Sequence, residues 1–364
     1  MRTRAAVLTQ PNTPMTVTDI EVGEPKQGEV LVRMVASGVC QTDLGVIHGK
    51  LPLPLPAVLG HEGSAVVEAV GPGVAKLQVG DHVVIAAVTH CGRCRLCLSG
   101  RPFFCPDMAN GFLGGMMPDG TKRFHRGNEQ VSHFFWQSSF AEHSLIPERI
   151  AVKVPNDLPL EKLAPLACGL QTGSGAVLNT AKLRPGDTVA VIGCGGVGLA
   201  AVMAARIARA LRIIAVDFFE HRLKLARELG ATDTVVAKNV NAVEEIQKLT
   251  GGGVDYSFEC IGKPETVRQA VDCVRTGGTA VISGVVAPGA EVKLDGLGLL
   301  GRTVIGNVEG SSVPEEYIPK LVEFWRHGDF PFDKLTTKTY ALKDINQAVA
   351  DMERGDVIKP VVRY

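Results

Sequence analysis

The chain carries no excess of charge: 38 Lys and Arg balance 38 Asp and Glu over 364 residues. With no runs of Lys or Arg, that balance removes the electrostatic grounds for nucleic acid or an anionic membrane as partner. Long apolar runs are missing too, and none approaches the roughly 20 residues of a membrane span. The opening MRTRAAVLTQPNTP is basic but leads into no apolar segment, so no secretory signal is expected. Nine cysteines without such a signal imply a reducing, cytoplasmic setting, where thiols serve as metal ligands or core fillers. Repeats and low-complexity tracts are absent as well.

What is present divides in two. A chain of 364 residues exceeds one typical core. The first third holds short β-type runs broken by Gly and Pro, such as EVLVRMVASGVC, GSAVVEAVG and SFAEHSLIP, as in an antiparallel β-domain. From Asp187 onward short apolar strands alternate with amphipathic helices: DTVAVIG, GVGLAAVMAARIARAL, RIIAVD, EHRLKLARELG. That alternation predicts a doubly wound parallel sheet. The expected division is a first domain over 1–173 with a lobe at 91–105, a nucleotide-binding domain over 174–308, and a return to the first domain over 309–364.

Two chemical signals stand out by spacing. Cys91, Cys94, Cys97 and Cys105 form C-x2-C-x2-C-x7-C, and two-residue gaps are the usual zinc-ligand spacing. Four sulfurs close the coordination sphere, which marks a structural rather than a catalytic ion. Gly193, Gly195, Gly196, Val197 and Gly198 form a GxGxxG turn directly after a strand and at the start of a helix. Such glycines admit a pyrophosphate to the helix N-terminus. Asp217 ends the next strand, and a carboxylate there accepts ribose hydroxyls and repels a 2′-phosphate, favouring NAD over NADP. Arg222 lies close enough in sequence to touch the same ribose.

Cys40, His61, Glu62 and Cys168 are scattered, and each alone is unremarkable in type. Taken with GVCQTDLGVIHG, LPAVLGHEGSAVVEAVGPGV, HCGRCRLCLSGRPFFC, LACGLQTG and VIGCGGVGL, they resemble the zinc-dependent medium-chain alcohol dehydrogenases from residue 5 to the end. The resemblance implies an α/β fold: a GroES-like β-rich catalytic domain and a Rossmann domain. It also implies two zinc ions per chain and NAD. Cys40, His61 and Cys168 would hold the catalytic zinc, with Glu62 nearby, and Cys91, Cys94, Cys97 and Cys105 the structural one. Asp43 would orient the histidine ligand. An alcohol at the open position of the catalytic ion would be deprotonated and pass hydride to the nicotinamide.

The resemblance further gives Thr42 the hydroxyl that takes the alcohol proton, and it places Thr172, Val285 and Lys359 against the coenzyme, Lys359 at the pyrophosphate. This chain departs from the family at Gly45, where a relay histidine is common, so His48 becomes the candidate terminal acceptor. Gln41 likewise replaces a basic residue.

For substrate, the segment MPDGTKRFHRG…HFFWQSSFAEH resembles liver-type and glutathione-dependent formaldehyde dehydrogenases. In that branch, the resemblance implies, the anionic glutathione adduct is recognised by an arginine after the last lobe cysteine and by acids before the GHE loop. Asp107-Met108-Ala109-Asn110 and the 50–56 segment supply neither. Leu51, Phe134, Phe135, Val285 and Val308 fall at substrate-lining positions, with Ala87 small where bulk is common. The expectation is oxidation of medium-chain, allylic or aromatic primary alcohols. The alternatives are S-hydroxymethylglutathione dehydrogenase and a non-enzymatic zinc-binding interaction module. The run TAVISGV…LGLLGRTVIGNV suggests an exposed sheet edge and hence a homodimer, with a homotetramer as the alternative.

Overall fold

In the computed structural model, which describes residues 1–364, the β-rich runs of the first third form two sheets. One has the order Ala57–Val58, Arg2–Leu8, Thr16–Val22, Phe124–Arg126, Glu129–Val131. The other centres on Glu29–Gly38, whose Val30, Val32 and Met34 are buried. That strand pairs antiparallel with Glu62–Val70, His143–Pro147 and, from the far end of the chain, Val361–Arg363. The last pairing sets Val361 opposite Gly38 and so brings Lys359 back beside Val39 and Cys40. At the same point Glu62 pairs with Gly38. A Cβ on Gly38 would lie 1.9 Å from Glu62 Oε2, so only glycine lets that carboxyl turn inward.

The second unit is built on six parallel strands: Thr188–Ile192, Arg212–Asp217, Asp233–Val236, Val254–Glu259, Val274–Ile282 and Thr303–Gly306. Numbered in that order they lie 3-2-1-4-5-6 across the sheet, which reverses direction between the first and fourth strands. Ligands of such sheets bind outside the carboxyl ends of the strands at the reversal. The helix Gly196–Ile207 follows the first strand and is buried along most of its length. A Cβ on Gly198 would meet the carbonyl oxygen of Gly193 at 1.8 Å, so the close seat of this helix on its strand requires glycine there.

The units are Met1–Cys168 with Val313–Lys320 and Asp333–Tyr364, and Gly169–Ser312 with Leu321–Phe332. The tail therefore differs from a simple return to the first domain at 309. The helix Pro314–Arg326 changes allegiance part-way, and its later residues with the following turn pack in the second unit. The apolar residues of that helix recur at helical spacing whichever core they enter, so the pattern could not assign them. ETVRQAVDCVRTGG is helical only as far as Cys273, after which Val274 begins a strand.

Candidate active site

The first site grows from the start of the helix Gln41–Ile47. Cys40 is its N-cap, and Asp43, fully buried in the first turn, turns its carboxylate back. Asp43 Oδ2 accepts from the Cys40 N–H at 3.0 Å, and Oδ1 accepts from the Gly60 N–H at 3.0 Å. The same Oδ1 lies 3.2 Å from His61 Nδ1. An acceptor on Nδ1 places the ring proton there and leaves the Nε2 lone pair free for a metal. Nε2 is indeed buried with no hydrogen-bond partner, a costly arrangement unless something else occupies that lone pair.

What surrounds Nε2 answers the need. Ligand atoms of Cys40, His61, Glu62 and Cys168 all lie within 4.8 Å of one another. Hydrogen bonding from Cys168, against the opposing effect of burial, holds the Cys40 thiol well below its usual range, with His61 assisting. Burial disfavours a charged His61, but Asp43 and Cys40 outweigh it and raise the imidazole. Two soft thiols and an imidazole aimed at one point fit zinc, and a bound cation would take the place of the protons they share.

Glu62 does not face an empty ligand position. Both its oxygens meet the Lys359 ammonium, at 2.7 and 2.9 Å, and Lys359 also donates to the Val39 carbonyl. Burial pushes the Glu62 carboxyl up to about 7 while Lys359 pulls it down. Burial likewise opposes the Lys359 charge, but Glu62 and Cys40 raise it. Two carboxylate contacts on one ammonium are those of an ionised pair. Lys359 is 3 % exposed, and its ammonium is held by Glu62.

Apolar walls close round the ligands. The His61 ring stacks on Phe135 at 4.7 Å and meets Phe134 edge-on at 5.4 Å. Leu51 and Ala87 belong to the same buried cluster as Cys168, with Phe112 packed against it. Thr42 is half-buried, its hydroxyl 3.7 Å from Cys40 Sγ. His48 is placed less favourably for a relay. It caps the far end of the helix and pairs with Glu353.

In the lobe, the sulfur separations Cys91–Cys97, Cys94–Cys97 and Cys94–Cys105 are 3.9, 3.5 and 3.8 Å. Four sulfurs at roughly 2.3 Å from a tetrahedral ion would stand roughly 3.8 Å apart. All four are free thiols. The donor set fits a closed zinc site.

In the second unit Gly193 turns the chain at φ +94°, after the first strand. Asp217 fixes this turn from the neighbouring strand: Oδ2 accepts from the Cys194 N–H at 2.7 Å and Oδ1 from the Phe219 N–H at 2.9 Å. Arg222 lies over the Phe219 ring at 4.7 Å. Thr172 donates to Glu309 Oε2 at 3.2 Å, and Val285 is 60 % exposed. Sequence reasoning missed the partnership of Glu62 with Lys359, 297 positions apart, because no local pattern marks it.

Residues 26–156 match the alcohol dehydrogenase GroES-like domain family, and residues 196–326 the zinc-binding dehydrogenase family. Over its whole length the chain is 41 % identical to all of the S-(hydroxymethyl)glutathione dehydrogenase of Synechocystis sp.. It is 42 % identical to the geraniol dehydrogenase of Castellaniella defragrans, over 99 % of this chain and 97 % of that one. The crystal structure of benzyl alcohol dehydrogenase from Acinetobacter calcoaceticus superposes with a TM-score of 0.96 at 42 % identity, covering 100 % of this chain and 99 % of that chain. The chain belongs to the zinc-dependent medium-chain alcohol dehydrogenases. This alcohol dehydrogenase is an oxidoreductase that uses zinc and a nicotinamide dinucleotide and acts on small alcohols or aldehydes. Its GroES-like and Rossmann domains are those the resemblance implied. No helix of the dehydrogenase is long and apolar enough to cross a membrane.

Proposed function

We propose that the dehydrogenase oxidises allylic, aromatic and medium-chain primary alcohols to aldehydes with NAD. The observation that carries this reading is the apolar wall at the ligands: Phe134 and Phe135 against His61, with Leu51 and Ala87 in the same buried cluster. A flat or extended hydrocarbon tail loses water there at a gain of roughly 25 cal/mol per Å². An anionic adduct would lose hydration with no cation to replace it. Of the basic side chains near the first unit's site, Lys359 is already paired with Glu62. The glutathione-named and geraniol-named relatives are about equally similar, so site chemistry decides between them.

A zinc ion at Cys40, His61 and Cys168 supplies Lewis acidity, lowering the pKa of a hydroxyl and polarising a carbonyl oxygen. The chain's own residues do the rest. Asp43 holds the His61 tautomer, and the two phenylalanines fix the ring from two directions. The Thr42 hydroxyl, beside Cys40, would take the substrate proton while releasing its own toward solvent, acting as a relay and not as a final acceptor. Asp217 selects NAD by charge, with Phe218 and Phe219 offering a 2′-phosphate no cation. The outer strand Thr303–Gly306, with exposed Val304, Leu297 and Leu300, supports a homodimer formed by edge pairing. Free thiols throughout support a cytoplasmic location.

Steady-state kcat/KM across ethanol, hexanol, benzyl alcohol, geraniol and S-hydroxymethylglutathione, each with NAD and NADP, tests the reading. Benzyl alcohol and geraniol should exceed ethanol by at least tenfold with NAD. A glutathione adduct preferred over all of them would overturn it.

A further inference from the structure

Glu259 is a fully buried carboxyl at the carboxyl end of the fourth strand of the parallel sheet, where no chemistry so far described uses it. Its Oε1 accepts three hydrogen bonds: from the Ile261 N–H at 2.9 Å, the Gly262 N–H at 2.8 Å and the Thr266 hydroxyl at 2.7 Å. Its backbone carbonyl accepts two more, from the N–H groups of Ser283 at 2.9 Å and Gly284 at 3.1 Å. Directly opposite, in register, stands Ile192, the last residue before the glycine turn. One residue thus ties together the chain segments that leave the first, fourth and fifth strands, at the point where the sheet reverses direction.

The segments it ties are packed more tightly than side chains allow. A Cβ on Gly193 would stand 2.5 Å from Ile261 Cγ1, and one on Gly262 2.5 Å from the Val285 carbonyl oxygen. A Cβ on Gly284 would stand 2.1 Å from the Gly262 nitrogen and 2.5 Å from Glu259 Oε2. Movement of the Ile261 segment therefore transmits to Gly193 by contact. Oε2 itself is buried with no hydrogen-bond partner, and such a group is retained only where its cost serves something else. A core needing only to fill space would hold an apolar side chain at this point.

We propose that Glu259 is a positioning residue for the coenzyme: it locks the 260–263 and 283–285 segments against the phosphate-binding turn and so sets dinucleotide affinity. It touches neither the substrate nor the zinc ligands, and it leaves Ile261 and Val285 exposed at the strand ends where the coenzyme is received. The proposal rests on the dinucleotide reading of Gly193–Gly198. Glutamine at this position is isosteric and keeps an oxygen for the Ile261, Gly262 and Thr266 donors. Its amide N–H2 would stand at the Oε2 position, buried with no hydrogen-bond partner, and the carboxylate charge would be lost. The segments would be held more weakly there without loss of volume.

The test is NADH binding by fluorescence titration of the zinc-loaded enzyme, with kcat and coenzyme KM, for wild type, Glu259→Gln, Thr266→Val and the exposed control Glu265→Gln. Glu259→Gln should raise the NADH dissociation constant and NAD KM at least tenfold, with kcat at saturating NAD unchanged or higher. Thr266→Val, which removes one of three donors, should raise both two- to fivefold, and Glu265→Gln should change neither. Lowered thermal stability with unchanged dissociation constants in both variants would make Glu259 merely structural and overturn the proposal. If Glu259→Gln does not fold, unchanged NADH affinity in Thr266→Val overturns it alone. Failure of wild type to bind NADH would instead overturn the dinucleotide reading.

Discussion

Asp43 Oδ1 stands 3.2 Å from His61 Nδ1, and the ring's other nitrogen is buried with nothing to bind. The pair defines the metal site before any metal is considered. Replacing Asp43 with asparagine removes the charge but keeps the volume, and the amide can present its N–H2 to Nδ1, favouring the wrong tautomer. Loss of such an orienting partner typically costs about 10- to 100-fold in metal affinity or activity. Asp43→Asn should retain one tightly held zinc per chain, in the four-cysteine lobe, and lose the other to a mild chelator with kcat/KM falling in step. Elemental analysis after dialysis, compared with turnover, checks this. Full retention of both ions would refute it.

The Lys359–Glu62 pair yields a prediction opposite to the one its position in the sequence suggests. Were Lys359 a pyrophosphate contact, Lys359→Met would weaken coenzyme binding and leave stability nearly untouched. In the structure the substitution strands the Glu62 carboxyl, which is completely buried. Breaking one side of a buried ion pair costs about 3–5 kcal/mol, whereas removing both sides is often close to neutral. Lys359→Met should therefore unfold at markedly lower denaturant, and Lys359→Met with Glu62→Gln should recover most of the loss. Chemical denaturation of the three variants decides it.

How far these features were legible depends on how local their cause is. The four-cysteine lobe and the glycine turn are set by spacing within about fifteen residues, and Cys91–Cys105 and Gly193–Gly198 read directly from the chain. The parallel sheet was legible because each strand carries its own apolar run and each crossover its own helix. The pairing of Lys359 with Glu62 was not legible because the two meet across the sheet, brought together by the pairing of Val361 with Gly38. Glu259 was invisible for a related reason: FECIG looks like the end of a strand, and only the fold shows that its side chain holds the 261–266 segment and its carbonyl the 283–284 segment. His48 was read by proximity in sequence, but the helix Gln41–Ile47 carries it one element's length away from Cys40, to Glu353.

Acid should destabilise the first unit through His133. Burial, then the charges of Arg123 and Lys122, push this imidazole down to about 3. Its Nε2 accepts from the Arg123 N–H at 3.0 Å, which requires the neutral ring. An unfolded histidine titrates near ~6.5, so above that value neither state binds the proton and the full stability is present. As pH falls from ~6.5 toward 3, only the unfolded chain takes up the proton, and stability drops by about 1.4 kcal/mol per pH unit from this group. His133→Gln keeps an acceptor without a titrating ring. Its unfolding free energy should fall less steeply between pH 6 and 4 by about one proton's slope, measured by urea titration at each pH.

Asp217 has two tasks, and separating them tests the coenzyme preference. Each of its oxygens already accepts a backbone N–H, from Cys194 on one side and Phe219 on the other, so the carboxylate shapes the glycine turn in addition to the ribose contact proposed for it. Removing it cannot simply exchange NAD for NADP. Asp217→Gly should lower kcat/KM for NAD at least tenfold while raising that for NADP only slightly, because repulsion is relieved but the turn is loosened and no cation is gained. Adding Phe218→Arg, at a side chain that is 53 % exposed, supplies a fork for the 2′-phosphate without touching the core. The double variant should therefore favour NADP, whereas Phe218→Arg alone, with the carboxylate still in place, should keep NAD ahead. Equal NADP gains with and without Asp217 would show that the carboxylate acts through the turn and not through its charge.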